Sequence, residues 1–363
     1  MSPGTILFGA LRPRWRDARR SRRPGCTVLV PVPGDLPVFL RLAVDVLRRQ
    51  EGIREMPIVV VPDTPTAASR AAFADAERDA PELSLRLAEL DRAGTLVVRG
   101  LRNPHVNHWL QLVRGVEVST TTHVLLHDAD CFLLEPGFVR GLYEECRRRG
   151  LAALGVTEVW DAWYRANGFA HVVATWELLF DVAWARRFPP VAHRGQAAEV
   201  GGKRHVFDTT LLPQARTPAN EIALATRPAR FVHFNYVICT YRMFEKARGP
   251  FVDEYFRLLL IRLLLDAYEE PASARLPTLA ALTRALHDDG GPVVYRRPGD
   301  DEHYPEFRGK LEALLGGDVV APHVATFLRR GIAPFDVAYG WTPPGFDAAY
   351  RPAPRRNLDA SLA

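Results

Sequence analysis

Long apolar runs are missing from this 363-residue chain. The best stretch, Leu258 to Leu265, is broken by Arg262 and is far shorter than the ~20 residues a membrane-spanning helix needs. Cysteine is scarce as well. Cys26, Cys131, Cys146 and Cys239 are scattered, with no C-x-x-C pair and no zinc spacing. That placement fits reduced thiols in a cytoplasm-like compartment better than a disulfide framework. No G-x-G-x-x-G turn and no Walker lysine loop occurs in the first half, which argues against a dinucleotide dehydrogenase and a P-loop NTPase. Internal repeats and Ser/Gly linkers are also absent. With 47% hydrophobic and 25% charged residues, the composition excludes disordered, collagenous and coiled-coil chains.

The charge is unevenly spread. Residues 1–25 carry seven arginines (Arg12, Arg14, Arg16, Arg19, Arg20, Arg22 and Arg23) against Asp17 alone, a local charge of +6. Taking that from the formal +5 of the whole chain leaves −1 from Cys26 onward. The leader therefore reads as a solvated basic arm, or as the product of a start placed too far upstream, and no folded nucleic-acid motif accompanies it. Its apolar stretch, Ile6 to Leu11, precedes the arginines, the reverse of a secretory signal. The expectation is a soluble cytoplasmic protein without a nucleic-acid partner, making at most weak contact with a membrane surface.

Short apolar strands then alternate with helical segments. Cys26 to Pro33, Pro57 to Val61, Thr95 to Arg99 and His123 to Leu126 read as buried strands. The stretches after Pro37, from Thr66 to Ala80 and from Asn107 to Val118 have helical spacing. This pattern implies βαβ crossovers and a mainly parallel sheet covered on both faces, an α/β fold. Ligands of such sheets bind at the carboxyl ends of the strands. Gly34-Asp35, Asp63 and the pair Asp128/Asp130 all fall there. The second half mixes strand and helix up to Tyr241. Phe251 to Tyr268 reads as a helix packed on its own domain, and an irregular Pro- and Arg-rich tail closes the chain.

Asp128 and Asp130 carry the chemistry. In an extended segment, residues i and i+2 point to the same side, ~6.6 Å apart along the chain. A slight turn brings both carboxylates onto one hard cation, Mg²⁺ or Mn²⁺, which in turn takes phosphate oxygens. Such a cation neutralises a departing diphosphate. The other reading has two acids capping the helix that begins near Pro136.

The apolar strand HVLL running into His127-Asp128-Ala129-Asp130-Cys131-Phe132 resembles the D-x-D segment of GT-A-fold, family-2-like glycosyltransferases. The opening VLVPVPGD (28–35) is similar to the first strand and turn of that fold. Asn107 to Val116 resembles the helix that leads to the D-x-D strand. The likeness covers residues 26–160, fades through about 240 and does not reach the last third. It implies a GT-A domain over 26–245, divided into a donor-nucleotide half (26–135) and an acceptor half (136–245). Residues 1–25 are then a mobile arm, 246–342 a helical C-terminal region packed on the domain, and 343–363 a tail.

The resemblance also implies roles. Asp63 faces the nucleobase, with Asn107, Asp128, Lys203 and Arg204 on the donor side. Asp128, Asp130 and His233 hold Mn²⁺ or Mg²⁺. Gly201 to Thr210 resembles the acceptor-side segment, where Asp208 acts as general base if the enzyme inverts configuration. The residues themselves leave second readings open. Asp208 also suits a helix cap, His233 a packed core histidine, and Lys203 and Arg204 solvated loop cations. Trp160, Trp163, Tyr164 and Trp176 form either a stacking wall for sugar or aglycone, or core, with core favoured for Trp176. The chain departs from the family pattern where Phe207 replaces an acid before Asp208 and where His108 and Trp109 replace glycines, which leaves the stereochemistry open.

The implied activity is hexosyltransferase-type: transfer of a sugar from a nucleotide diphosphate-sugar to a hydroxyl or amine of a small molecule, glycan or natural product. Two alternatives are a non-catalytic nucleotide-sugar-binding protein and a D-x-D aspartyl-phosphate phosphatase using His287 to Gly290 as a second acidic motif. The phosphatase is disfavoured because its D-x-D follows the first strand of the domain.

Overall fold

The computed structural model describes residues 14–16, 21–227, 230–247, 255–270, 276–286, 300–317 and 319–341. Segment 287–290, the 343–363 tail and most of the basic leader lie outside them. The first half runs β1 (Arg23–Val32), α1 (Val38–Arg48), β2 (Pro57–Pro62), α2 (Ala67–Asp79), β3 (Ser84–Leu87), α3 (Arg92–Leu101), α4 (Pro104–Val118) and β4 (Thr121–Leu126). Next come β5 (Cys131–Leu133), α5 (Phe138–Arg149), β6 (Ala153–Gly155), α6 (Ala162–Ala166), β7 (Leu178–Asp181) and α7 (Val182–Arg186). They are followed by β8 (Gln196–Val200), β9 (Lys203–Phe207), α8 (Leu211–Ala215), β10 (Ile222–Leu224) and β11 (Phe231–His233). The C-terminal region is helical: α9 (Val237–Ala247), α10 (Tyr255–Ala267), α11 (Leu279–Ala285), α12 (Asp300–Gly316) and α13 (Pro322–Ala338).

Seven strands form the main sheet in the order β10-β6-β7-β4-β1-β2-β3. β1 pairs in parallel with both β2 and β4, β2 with β3, and β6 with β10; β7 alone runs against its neighbours β4 and β6. The expected architecture, a mainly parallel sheet with flanking helices and a helical C-terminal extension, is the one observed. Both sheet faces are covered. Val28 and Val30 join the core shared with α1, α5 and the C-terminal helices, while Leu29 faces α4 and α7, packing among residues such as Trp109 and Trp184. In α10, Leu258 to Ile261 and Leu263 to Leu265 are buried, and Arg262, itself buried, pairs with Asp266. These leucines and Ile261 belong to the same buried core as Val28 and Val30. Among the described residues no helix is long and apolar enough to cross a membrane.

One strand was misassigned by the sequence pattern. Thr95 to Arg99 belongs to α3, whose N-cap Asp91 accepts the Gly94 N–H at 2.7 Å. Only Gly94 and Val98, four apart, are buried on it, while Leu96 is exposed, so the apolar cluster is one helical stripe with a solvent face. The strand at that place is β3, Ser-Leu-Arg-Leu, a half-exposed edge with no continuous apolar run. Within the basic leader, residues 14–16 are held on the domain. The Trp15 indole donates to Phe188 O at 2.7 Å, and Arg16 pairs with Asp91 at 2.6 Å.

Gly115 sets how closely α4 approaches the sheet, because a Cβ there would lie 2.2 Å from a Leu29 methyl. Gly115→Ala is expected to cost about 1–3 kcal/mol through overpacking, despite the better helix former. Gly141→Ala, on the exposed side of α5 with nothing within 4 Å, should gain about 0.5–1 kcal/mol. Urea melts of the two variants check both signs.

Candidate active site

The chain leaves β1 towards β2 and β3, then returns through α3 and α4 to place β4 on the other side of β1. This reversal opens a crevice above the carboxyl ends of β1 and β4. A cleft enclosing about 920 Å³ of empty space, part of it open to solvent, lies there. Its lining includes Pro33, Asp63, His105, Asn107, Asp128, Asp130, Trp160, Trp176, Asp208, His233 and Arg242.

β4 ends at Leu126, and a turn closed by the Cys131 N–H on Asp128 O (2.9 Å) swings the chain into β5. β5 pairs antiparallel with β11 in the register Cys131 to His233. That register sets the His233 Nε2 3.2 Å from Asp130 Oδ1. The other oxygen of Asp130 accepts the Val237 N–H at the start of α9, at 3.3 Å. Burial alone would raise the Asp130 pKa, but the charge and hydrogen bond of His233, with the backbone N–H, hold it below the ordinary carboxylate value. Ligand atoms of Asp128, Asp130 and His233 all lie within 4.8 Å of one another. Cis and trans ligands of an octahedral ion at ~2.1 Å are about 3 and 4 Å apart, so the three fit one divalent cation with little movement. The mixed oxygen and imidazole donors suit Mn²⁺ better than Mg²⁺. The His233 Nδ1 is buried without a hydrogen-bond partner, so the ring is held by packing and its Nε2 side alone. Under this cluster His127 and Glu177, both fully buried, make a short hydrogen bond.

The first side of the cleft is a carboxylate–arginine network. Asp63 Oδ1 accepts the Gly34 N–H at 2.9 Å, and its Oδ2 accepts from the Asn107 amide at 2.9 Å. Arg242 of α9 reaches both oxygens of Asp63 (3.1 and 2.8 Å) and grips Asp35 with two bonds of 2.6 Å. Gly34 is obligatory here, because a Cβ would sit 1.6 Å from Thr64 O. Asp63 is thus buried and fully engaged within the protein. Arg242 is the group that lines the cleft beside it, a residue the sequence reading did not single out. Its signal is faint, since the partners are about 180 and 207 positions away.

On the opposite side, Asp208 follows β9 and its Oδ1 accepts the Thr209 N–H at 2.6 Å. His105 Nδ1 stands 3.3 Å from the same oxygen. One turn along α4, His108 Nε2 lies 3.4 Å from Asp128 Oδ1. Trp160 stacks on Trp176 (centroids 5.5 Å apart, 20° between planes), and Trp176 packs against His233. Trp163 and Tyr164 belong instead to a satellite core with Phe207, and the Trp163 ring stacks on His205. The core reading therefore fits Trp163 and Tyr164, whereas Trp176, for which core was favoured, lines the cleft.

Asp63, Asn107, Asp128, Asp130, Asp208 and His233 come together on one cleft. Lys203 and Arg204 do not. They follow the Gly201-Gly202 turn of the β8–β9 hairpin, are exposed, and are not among the cleft's lining residues. The helix-cap reading of Asp128 and Asp130 has no support, since α5 begins at Phe138 after Gly137 and neither acid caps it. Four non-glycine residues with left-handed backbone, Glu177, Thr210, Asn235 and Tyr236, adjoin these side chains. Strain of this kind gathers where geometry is over-determined. β4 is also preceded by three parallel strands, which sets the D-x-D apart from that of the phosphatase group.

No protein-family model matches the chain, and no curated protein does. Solved structures resemble it at low identity. TarS residues 1–349 from S. aureus in complex with UDP-GlcNAc gives a TM-score of 0.41 at 14% identity over 86% of this chain and 89% of that one. Mannosyltransferase PcManGT from Pyrobaculum calidifontis, in complex with GDP-Man and Mn²⁺, gives 0.34 at 17% identity over 92% and 88%. Glucosyl-3-phosphoglycerate synthase from Mycobacterium tuberculosis, in complex with phosphoglyceric acid, gives 0.37 at 11% identity over 70% and 82%. The fold of this chain is defined by its own strand order and register.

Arg242→Met should destabilise the protein by about 3–5 kcal/mol, because it leaves the buried Asp63 without its cation. Denaturant melts at neutral pH measure the loss.

Proposed function

We propose that this protein is a metal-dependent glycosyltransferase that moves a sugar from a nucleotide diphosphate-sugar to a hydroxyl or amine of an acceptor. The observation that carries this reading is the cluster of Asp128, Asp130 and His233 at the carboxyl end of β4, beside the reversal of strand order. Asp128, Asp130 and His233 would hold a divalent ion there, and its positive charge would offset the negative charge that develops on a leaving diphosphate.

The chain's own residues do the rest. Asp128 and Asp130 supply the anionic ligands and His233 the imidazole. The Asp35–Arg242–Asp63 network, with Asn107, fixes the floor on which the nucleoside rests. Asp63 thus acts chiefly through Arg242, the side chain that meets the nucleotide. Arg242 presents N–H donors that suit base carbonyls and phosphate alike. Trp160 and Trp176 offer a stacked apolar wall to a sugar or aglycone face. Asp208 and His105 stand across the cleft, on the side where an acceptor hydroxyl enters.

Isothermal titration with UDP, GDP and dTDP, with and without Mn²⁺, tests this reading. One nucleotide is expected to bind only with metal, and Asp128→Ala/Asp130→Ala should lose that binding. If no nucleotide binds in either condition, the metal assignment and the transferase reading both fall. Tight binding with no nucleotide released from any sugar donor would leave a binding protein instead of an enzyme.

A further inference from the structure

We infer that His105 is the base that takes the acceptor's proton and that Asp208 is the carboxylate that orients it. This rests on the transferase reading above and changes the role assigned to Asp208 from the sequence.

His105 sits in the first turn of α4, directly after Pro104, and both residues line the cleft. Its side chain is 50% exposed, against 25% for Asp208. A carboxylate only accepts hydrogen bonds. The 3.3 Å contact of Nδ1 with Asp208 Oδ1 therefore selects the Nδ1–H tautomer and leaves Nε2 with the basic lone pair. A nucleophile-activating base held by a carboxylate in this way is a recurrent arrangement, and contacts of this length tighten when substrate is bound. Asp208 Oδ1 is already engaged by the Thr209 N–H, which suits a fixed orienting group better than a proton acceptor.

The proton affinities agree. The hydrogen bond and charge of Asp208 raise His105 above the usual imidazole value in spite of partial burial. Burial alone would raise Asp208, but His105 and the Thr209 N–H keep it below the ordinary carboxylate value, which weakens it as a base. Other titratable groups facing the pair are His108 on α4, Tyr164 on α6 and Cys239 on α9. Burial drives the thiol up to about 11 and the phenol higher still, so both stay neutral. In the step itself, the acceptor oxygen forms its bond to the anomeric carbon as the bond from that carbon to the diphosphate oxygen breaks. The acceptor's proton passes to Nε2, and the diphosphate leaves with the bonding electrons. His105 then returns the proton to solvent.

The tautomer and titration of His105 are read by nitrogen-15 NMR, with His105→Gln locating the signal. The Nδ1–H tautomer is expected, with a pKa that drops in Asp208→Asn. An Nε2–H tautomer, or a pKa indifferent to Asp208→Asn, overturns the dyad whether or not turnover is detectable. The kinetic arm follows Mn²⁺-dependent nucleotide release from the sugar donor whose nucleotide binds. His105→Gln should lower that rate ~10²–10⁴-fold and remove the acid limb of the pH profile. Affinity for the nucleotide with Mn²⁺ and the melting temperature should stay as in the wild type. A near-normal rate with an acid limb in the carboxylate range would return the role to Asp208. Loss of Mn²⁺-dependent nucleotide binding in the wild type itself would instead refute the underlying transferase reading.

Discussion

The reversal of strand order between β1 and β4 is the constraint on which the rest depends. Strands on either side of that point send their connections to opposite faces of the sheet, so no helix covers the gap above their carboxyl ends. The Pro33-Gly34-Asp35 turn and the 127–130 segment occupy that gap by topology alone. Any charge they carry faces a cleft with apolar walls, where electrostatic interactions are stronger than in water. The α4 helix closes one side, and only a glycine at 115 lets it lie tight against Leu29.

Gathering carboxylates in a half-dry cleft is unfavourable unless each has a partner. The structure provides them from distant parts of the chain. Arg242 bridges Asp35 and Asp63, His233 meets Asp130, His108 approaches Asp128, and His105 meets Asp208. His233 and Arg242 come from β11 and α9, so ion pairs as well as packing tie these two elements to the turns after β1, β2 and β4. Strained backbone at Asn235 and Tyr236 lies between those two residues. The α9 start is thereby set so that its Val237 N–H meets Asp130.

Much of this was legible in the sequence because it is local. Buried parallel strands are continuous apolar runs, so β1, β2 and β4 stood out, and the acids after them marked the cleft. β3 did not, since an edge strand with one solvated face has no such run, and the denser apolar cluster in α3 drew the assignment instead. Asp128, Asp130 and His233 were paired from the family resemblance, and the β5–β11 register explains physically why they meet. Arg242 and His105 were not anticipated. An arginine on an amphipathic helix and a histidine after a proline are ordinary locally, and their meaning comes from contacts made roughly 100 to 200 residues away. Lys203 and Arg204 show the converse: a basic pair near a motif in sequence ends on the exposed arm of a hairpin.

The most direct test of the account is anomalous scattering at the manganese edge, from crystals grown with Mn²⁺ and the nucleoside diphosphate that binds. The account predicts one strong peak coordinated by Asp128, Asp130 and His233, with diphosphate oxygens completing its shell. A peak elsewhere, or a nucleotide seated in the cleft with no metal at these residues, would contradict it.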